Sequence, residues 1–171
     1  MTVKTSTARY DGTGLRFTVR TGSGHEIVLD DSEGNAGPRP VEMLLVGQAG
    51  CTAMDVVSIL QKKRQTVSHY EVSVTAQQRD AAPNVFTRAD VVHIVEGPTL
   101  DEAAVRRAIE LSATKYCSVA AMLSAGTVEI HHRYRIVGPA GSDPIEGEVL
   151  VIGPHADPDA PAATKVAGAA S

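Results

Sequence analysis

The sequence is poor in aromatic residues and has no excess of basic charge. It contains no tryptophan, only 4% of its residues are aromatic, and its formal net charge is −4. Proteins that bind nucleic acids usually carry a basic surface, and those that bind single strands stack bases on aromatic side chains. We therefore expect no nucleic-acid partner. The mildly acidic balance also gives no attraction to an anionic membrane surface.

Cysteine is scarce as well, because the chain has only Cys51 and Cys117. Two cysteines exclude a disulfide framework and a four-cysteine zinc site. The sequence has neither a Cys-x-x-Cys nor a His-x-x-x-His spacing, and His131 and His132 should point to opposite faces of one strand. We therefore expect no metal site, and we interpret His93 as a packed residue of a sheet.

The chain has no uninterrupted hydrophobic run of membrane-spanning length. Its most apolar stretch, residues 43–60, contains Gln48, Thr52, Asp55 and Ser58, so we expect no transmembrane helix. Residues 1–10 lack the apolar core of a signal peptide. These features predict a cytoplasmic location, where thiols are normally reduced and a disulfide is more often transient and catalytic than structural.

What the chain does have is the pattern of an α+β domain. With 171 residues and 43% apolar content, it predicts one globular domain over residues 1–137 and a Gly/Pro/Ala-rich C-terminal tail over 138–171, in which residues 148–152 form at most a short strand. The predicted elements are a β-meander (7–10, 15–20, 26–29), a helix buried on all faces (41–64), a β-hairpin (66–79, 86–96), a second helix opened by a capping box at 99–102 and interrupted at 116–118, and a last strand (127–137).

The cysteine pair allows two interpretations. Free cysteine is often a small buried hydrophobe, and both residues fit that structural role. However, Cys51 is followed by Thr52 and, one turn later, by Asp55, while Cys117 begins a new helical turn, where the helix N-terminus is expected to lower the thiol pKa. A thiolate with a second thiol nearby is what peroxide reduction requires: the first becomes a sulfenic acid, and the second condenses with it to a disulfide.

Three segments around these cysteines resemble the OsmC/Ohr family of osmotically inducible protein C and organic hydroperoxide resistance proteins. The resemblance is closest to the YhfA-like branch and covers roughly residues 5–137. The segments are Gly37-Pro38-Arg39-Pro40-Val41-Glu42-Met43-Leu44-Leu45, Ala49-Gly50-Cys51-Thr52-Ala53-Met54-Asp55-Val56-Val57 and Lys115-Tyr116-Cys117-Ser118-Val119.

This resemblance implies an OsmC-like fold: an N-terminal β-meander and two long helices packed against antiparallel sheets, in an intertwined homodimer with two active sites at its interface. It also implies a thiol-dependent peroxidase that reduces small organic hydroperoxides. Cys51 matches the peroxidatic residue and Cys117 the resolving residue. A dithiol or a lipoylated protein would regenerate the thiols, with no metal or organic cofactor.

The charged groups that activate the peroxidatic thiol in the family are shifted in this sequence. There, a Glu directly follows the Pro that opens the helix and pairs with an Arg. Here Val41 follows Pro40, so Glu42 is the candidate catalytic acid, with a role at the helix dipole as its alternative. Asp31 occupies the matching arginine position, which leaves Arg39, Arg16 and Arg20 as candidate substitutes.

A different class of function also fits the resemblance. A non-enzymatic dimer could bind an apolar ligand, or sense oxidation, at the same interface pocket. A disulfide requires a cysteine pair within bridging distance, with Cα atoms within about 7 Å. An Arg and Glu42 near Cys51 would favour the enzyme. A closed apolar surround would favour the binding protein.

Overall fold

The first part of the chain forms a three-stranded antiparallel sheet. In the computed structural model of the protein, residues 2–125 and 129–151 are described. Strands β1 (Ser6–Tyr10), β2 (Phe17–Thr21) and β3 (Glu26–Leu29) lie side by side in chain order. Gly12 and Gly24 take positive φ angles of 85° and 91° in the two turns, a conformation that favours glycine. The predicted β-meander is confirmed, and it belongs to a compact unit of residues 1–44.

The second unit, which starts at Leu45, contains a four-stranded sheet in the order β4-β5-β6-β7. Its strands are β4 (His69–Gln78), β5 (Phe86–Glu96), β6 (Glu129–Val137) and β7 (Ile145–Val151). The β4–β5 hairpin is confirmed. β5 and β6 run parallel, which differs from the all-antiparallel sheets implied by the resemblance. The reason is the connection, since parallel neighbours require a crossover, and here the crossover is helical.

Strand β7 lies in the region expected to be a tail. It pairs antiparallel with β6, and its Val149 is fully buried. The short strand expected at 148–152 is thus found, and it begins three residues earlier at Ile145. Residues 152–171 lie outside the described residues, as do Thr127 and Val128 of the predicted last strand, so the tail stays a prediction there.

Helix α1 (Glu42–Lys62) is buried along one stripe only. Its buried residues are spaced four apart: Gln48, Thr52, Val56 and Leu60. The expectation of burial on every face is wrong for this chain, since Val46 is 56% exposed and Met54 is 76% exposed. The physical reason is that α1 has neighbours along one side: Val56 and Leu60 belong to the core formed with β5, β6 and the next helix.

By length and composition, α1 would also be apolar enough to cross a membrane, with a mean hydropathy of 1.6. A helix in the core of a soluble protein has the same property. The stripe that α1 buries includes two polar residues, Gln48 and Thr52, and two residues of the core, Val56 and Leu60. Only 22% of the apolar window of α1 is buried, so the expectation of no transmembrane helix stays a prediction.

A broken helical segment connects β5 to β6. It consists of α2 (Glu102–Leu111), a π-helical turn (Ser112–Tyr116) and α3 (Ser118–Ser124), so the predicted interruption at 116–118 is confirmed. The predicted cap is wrong by two residues, because Asp101 caps α2 and accepts from the backbone N–H groups of residues 103 and 104. Glu102 instead accepts a hydrogen bond from the Tyr134 hydroxyl at 3.0 Å.

Candidate active site

The two cysteines lie next to each other, although they are far apart in sequence. The Sγ atoms of Cys51 and Cys117 and a carboxylate oxygen of Asp55 all lie within 4.8 Å of one another. Both cysteines are free thiols. The fold therefore brings together the two residues that sequence analysis selected, and it adds a carboxylate to them.

The secondary structure explains how these side chains meet. Cys51 and Asp55 are one turn apart on α1 and so project from the same face of the helix. At the end of the π-helical turn, the backbone N–H of Cys117 donates a hydrogen bond to the Ser112 carbonyl, five residues earlier, at 2.9 Å. The same turn places the buried Ser112 hydroxyl where it donates to Asp55 Oδ2 at 3.1 Å. π-Helical turns frequently occur at functional sites.

The sulfur of Cys117 accepts two hydrogen bonds. The Thr52 hydroxyl donates to it at 3.6 Å, and the backbone N–H of Ala120 donates at 3.3 Å. The Gln48 side-chain amide donates in turn to the Thr52 hydroxyl at 3.1 Å. The polar half of the buried stripe on α1 therefore forms a relay of donors that ends at the Cys117 sulfur.

Burial raises the pKa of the Cys117 thiol to about 11. The bond from Ala120 lowers the pKa, the neighbouring Cys51 raises it, and the bond from Thr52 lowers it, but each of these effects is smaller than the effect of burial. The expectation that a helix N-terminus would lower the pKa of Cys117 is therefore wrong, because the sulfur is almost completely buried. Cys117 is a protonated thiol at neutral pH, whereas Cys51 is only partly buried.

Glu42 makes local contacts at the start of α1. Its Oε2 accepts from the backbone N–H of Arg39 at 2.8 Å and lies 3.6 Å from the Arg39 guanidinium. A glutamate in the first turn of a helix can accept a hydrogen bond from the backbone N–H three residues earlier, which has no partner within the helix. This contact agrees with the helix-terminus alternative, and a catalytic role for Glu42 stays a prediction.

The other candidate charges also lie within the first unit. Arg16 pairs with Asp11 at 3.4 Å, and Arg39 donates to Asn35 at 3.4 Å. The Asp31 carboxylate accepts from two backbone N–H groups, those of residues 33 and 34. Arg20 lies on β2 opposite Thr7 of β1. Whether any of these arginines activates Cys51 stays a prediction.

The buried histidines form a separate cluster inside the sheet. His93 is bonded to the Tyr70 hydroxyl at 2.7 Å and to His132 at 3.2 Å, which confirms its role as a packed sheet residue. His131 lies on the opposite face and pairs with Glu148 at 2.7 Å, as the alternation predicts.

The sequence analysis named Asp55 and Gln48 but gave them no role in the site, and it missed Ser112. The signal for Asp55 was its spacing of one helical turn from Cys51. Ser112 carried no such signal, since its contact with Asp55 depends on how the π-helical turn lies against α1.

Known proteins with similar sequences identify the family of this chain. The family model described as OsmC-like protein matches residues 32–133. Protein YhfA of Escherichia coli strain K12 is 49% identical over 124 residues, which cover 72% of this chain and 92% of that protein.

Two solved structures share the fold. An OsmC-like protein from Mycoplasma pneumoniae has a TM-score of 0.70 at 17% identity, covering 80% of this chain and 98% of that one. The organic hydroperoxide resistance protein OhrB of Bacillus subtilis has a TM-score of 0.53 at 15% identity, covering 78% and 98%. The matched region contains both cysteines, and the chain therefore belongs to the OsmC-like protein family.

Proposed function

We propose that this protein is a thiol-dependent peroxidase that reduces small organic hydroperoxides, with Cys51 as the peroxidatic residue and Cys117 as the resolving residue. The observation that carries the proposal is the approach of the two sulfur atoms to within 4.8 Å. A cytosolic thiol pair this close is suited to cycle between dithiol and disulfide. The fold that the chain shares with an organic hydroperoxide resistance protein supports the proposed peroxidase activity.

The environments of the two thiols support the order of reaction. Cys117 is almost completely buried and its pKa is raised, so it is a poor first nucleophile at neutral pH. Cys51 is more accessible to a substrate. Once Cys51 is oxidised, Cys117 lies next to it, and its sulfur already accepts hydrogen bonds that stabilise a thiolate.

The proposed cycle has three steps. The Cys51 thiolate attacks the peroxide O–O bond, which gives a sulfenic acid and an alkoxide that leaves as the alcohol after taking up a proton. The Cys117 thiol condenses with the sulfenic acid, forming the disulfide and releasing water. A dithiol, free or lipoylated, reopens the disulfide by exchange and becomes a disulfide itself. The cycle requires no metal or organic cofactor and fits a reducing cytoplasm.

We also propose that the protein works as a homodimer. Val46 and Met54 on α1 and Met122 on α3 expose 56%, 76% and 75% of their surface. Large exposed apolar side chains of this kind on α1 and α3 support coverage by a partner. A second copy of the chain is the occupant implied by the family resemblance.

The alternative hypothesis, a non-enzymatic dimer that binds an apolar ligand or senses oxidation, has less support. Polar groups lie beside the thiols, since the Asp55 carboxylate is within 4.8 Å of both sulfurs and the Thr52 hydroxyl donates to the Cys117 sulfur. A sensor would form the same disulfide but would not turn over repeatedly.

The test is consumption of cumene hydroperoxide by the purified protein with dithiothreitol as the reductant. The wild type should turn over many equivalents, and Cys51→Ser should lose all activity above background. Cys117→Ser should turn over more slowly, because its Cys51 sulfenic acid must be reduced directly by dithiothreitol instead of by the neighbouring thiol. Thr75→Ser, on the exposed face of β4, is the control and should match the wild type. No turnover by the wild type, or an unchanged rate in Cys51→Ser, would contradict the proposal.

A further inference from the structure

We propose that Cys51, Asp55 and Cys117 form a binding site for a thiophilic divalent cation such as Zn²⁺. Their two sulfur atoms and one carboxylate oxygen all lie within 4.8 Å of one another. In a tetrahedral zinc site with bonds of about 2.3 Å to sulfur, neighbouring ligand atoms are about 3.8 Å apart. Rotamer adjustments of a few tenths of an ångström to about 1 Å would therefore bring the three atoms onto one ion.

The donor set fits such a cation. Thiolate and carboxylate ligands suit Zn²⁺, and two sulfurs disfavour hard ions such as Mg²⁺. Three protein ligands leave the fourth tetrahedral position for water or another small ligand. The negative charge of two thiolates and one carboxylate is larger in magnitude than the positive charge of the ion. Binding therefore neutralises most of the negative charge and removes the repulsion among the three ligands.

Neighbouring groups hold the ligands in place, as they do in known metal sites. The Ser112 hydroxyl donates to the Asp55 carboxylate at 3.1 Å. Thr52 and the backbone of Ala120 donate to the Cys117 sulfur. Such outer partners orient the ligands and commonly change metal affinity by 10- to 100-fold.

The Asp55 carboxylate also borders a cavity. A cavity of about 300 Å³ lies next to the site, and it is lined by Asp55, Ser58, Ile59, Lys62, Leu111 and Tyr116. Asp55 belongs both to this cavity and to the group of three ligands, which places one ligand of the proposed site next to the cavity.

Binding would exclude disulfide formation. The cation takes both sulfurs as thiolates and releases their protons, and the disulfide form offers no thiolate to bind. The expectation of no metal site relied on ligand spacing within one segment, whereas these ligands come from α1 and from the end of the π-helical turn. The site does not depend on peroxidase activity, since it requires only the reduced pair and the carboxylate.

The experiment uses the full-length, reduced, metal-free protein without peroxide. Calorimetry with Zn²⁺ should give one ion per chain with a micromolar or tighter dissociation constant, and Co²⁺ should produce sulfur-to-cobalt charge-transfer absorption with the strong visible bands of tetrahedral cobalt. The disulfide form of the same protein should bind neither ion. Stoichiometric binding without charge-transfer absorption would overturn the proposal, because it would place the ion elsewhere.

Variants test the ligand set. Asp55→Asn should weaken Zn²⁺ binding at least tenfold, and Ser112→Ala, which keeps all three ligands, should weaken it several-fold. Glu71→Gln on the exposed face of β4 is the matched control and should bind as the wild type does. Wild-type affinity in a folded Asp55→Asn variant would overturn the proposal.

A second measurement needs no variant. Zn²⁺ should slow alkylation of Cys51, the more accessible of the two thiols, in the wild type, while Mg²⁺ at the same concentration should not. Unchanged alkylation rates in saturating Zn²⁺ would likewise overturn the site, whatever the result of the peroxidase assay.

Discussion

The Thr52 hydroxyl donates a hydrogen bond to the Cys117 sulfur at 3.6 Å, and this bond joins α1 to the start of α3. The Gln48 side-chain amide donates to the oxygen of the same hydroxyl, so the hydroxyl hydrogen of Thr52 remains available to the sulfur. All three side chains are buried. The relay supports negative charge on Cys117, which opposes the effect of burial on its pKa.

Removal of this donor should slow the resolving step. We expect Thr52→Val to form the Cys51–Cys117 disulfide about fivefold more slowly after one equivalent of hydroperoxide, since one hydrogen bond to the sulfur contributes about 1 kcal/mol. Thr52→Ser keeps the hydroxyl and should match the wild type. The measurement is rapid-quench counting of free thiols, and equal rates in the valine and serine variants would show that the bond has no such role.

The raised pKa of Cys117 predicts a pH profile for its chemical modification. In a Cys51→Ser background, alkylation of Cys117 should be very slow at pH 7 and should rise about tenfold per pH unit towards pH 11, because only the thiolate reacts. Mass spectrometry of iodoacetamide-treated protein follows this reaction, with a small model thiol as the control. A midpoint near the ordinary thiol pKa would contradict the dominance of burial.

The exposed apolar surface of α1 predicts the oligomeric state. The wild type should elute as a dimer in size-exclusion chromatography with light scattering. Met54→Glu should weaken the dimer about a hundredfold or more, because it places an unpaired charge in the apolar contact. Lys63→Glu, an exposed residue just past the end of α1, is the control. A wild type that stays monomeric at high concentration, or a dimer unaffected by Met54→Glu, would contradict the assignment.

The buried histidine pair predicts acid sensitivity. Burial and the neighbouring histidine lower the pKa of His93, and burial lowers the pKa of His132 to about 4, whereas both should titrate near 6.5 in the unfolded chain. Below pH 6.5 the unfolded state therefore binds more protons than the folded state. The free energy of unfolding should fall as the pH decreases from 6.5 to 4, by roughly 3 kcal/mol for His132 alone.

Urea unfolding at several pH values measures this dependence. His132→Asn should flatten the slope between pH 6.5 and 5, above the range in which Asp90 and Glu148 take up protons, since the pKa of each carboxyl is lowered. His69→Asn, on the exposed face of β4, is the control and should keep the wild-type slope. An equal slope in His132→Asn would contradict the role of the buried pair.

Local patterns were enough to predict most of the fold. The alternation in β5 and β6 placed His93 and His132 on the buried face, and the turn residues located the β-meander. The polar interruption at Tyr116 and Cys117 located the break in the second helix. These features follow from the twofold period of strands and from side chains that act over a few residues, so they can be read directly from the sequence.

The active-site geometry could not be read in the same way. The two cysteines and their motif were visible in the sequence, but their approach to within 4.8 Å, the addition of Asp55 and the bond from Ser112 depend on how α1 packs against α2 and α3. The pKa of Cys117 was predicted with the wrong sign, since the sequence showed a helix start but not the burial that outweighs it. The amino-acid sequence thus determined the elements and the reactive residues, while only the tertiary structure decided their distances and solvation, because these arise from contacts between segments far apart in the chain.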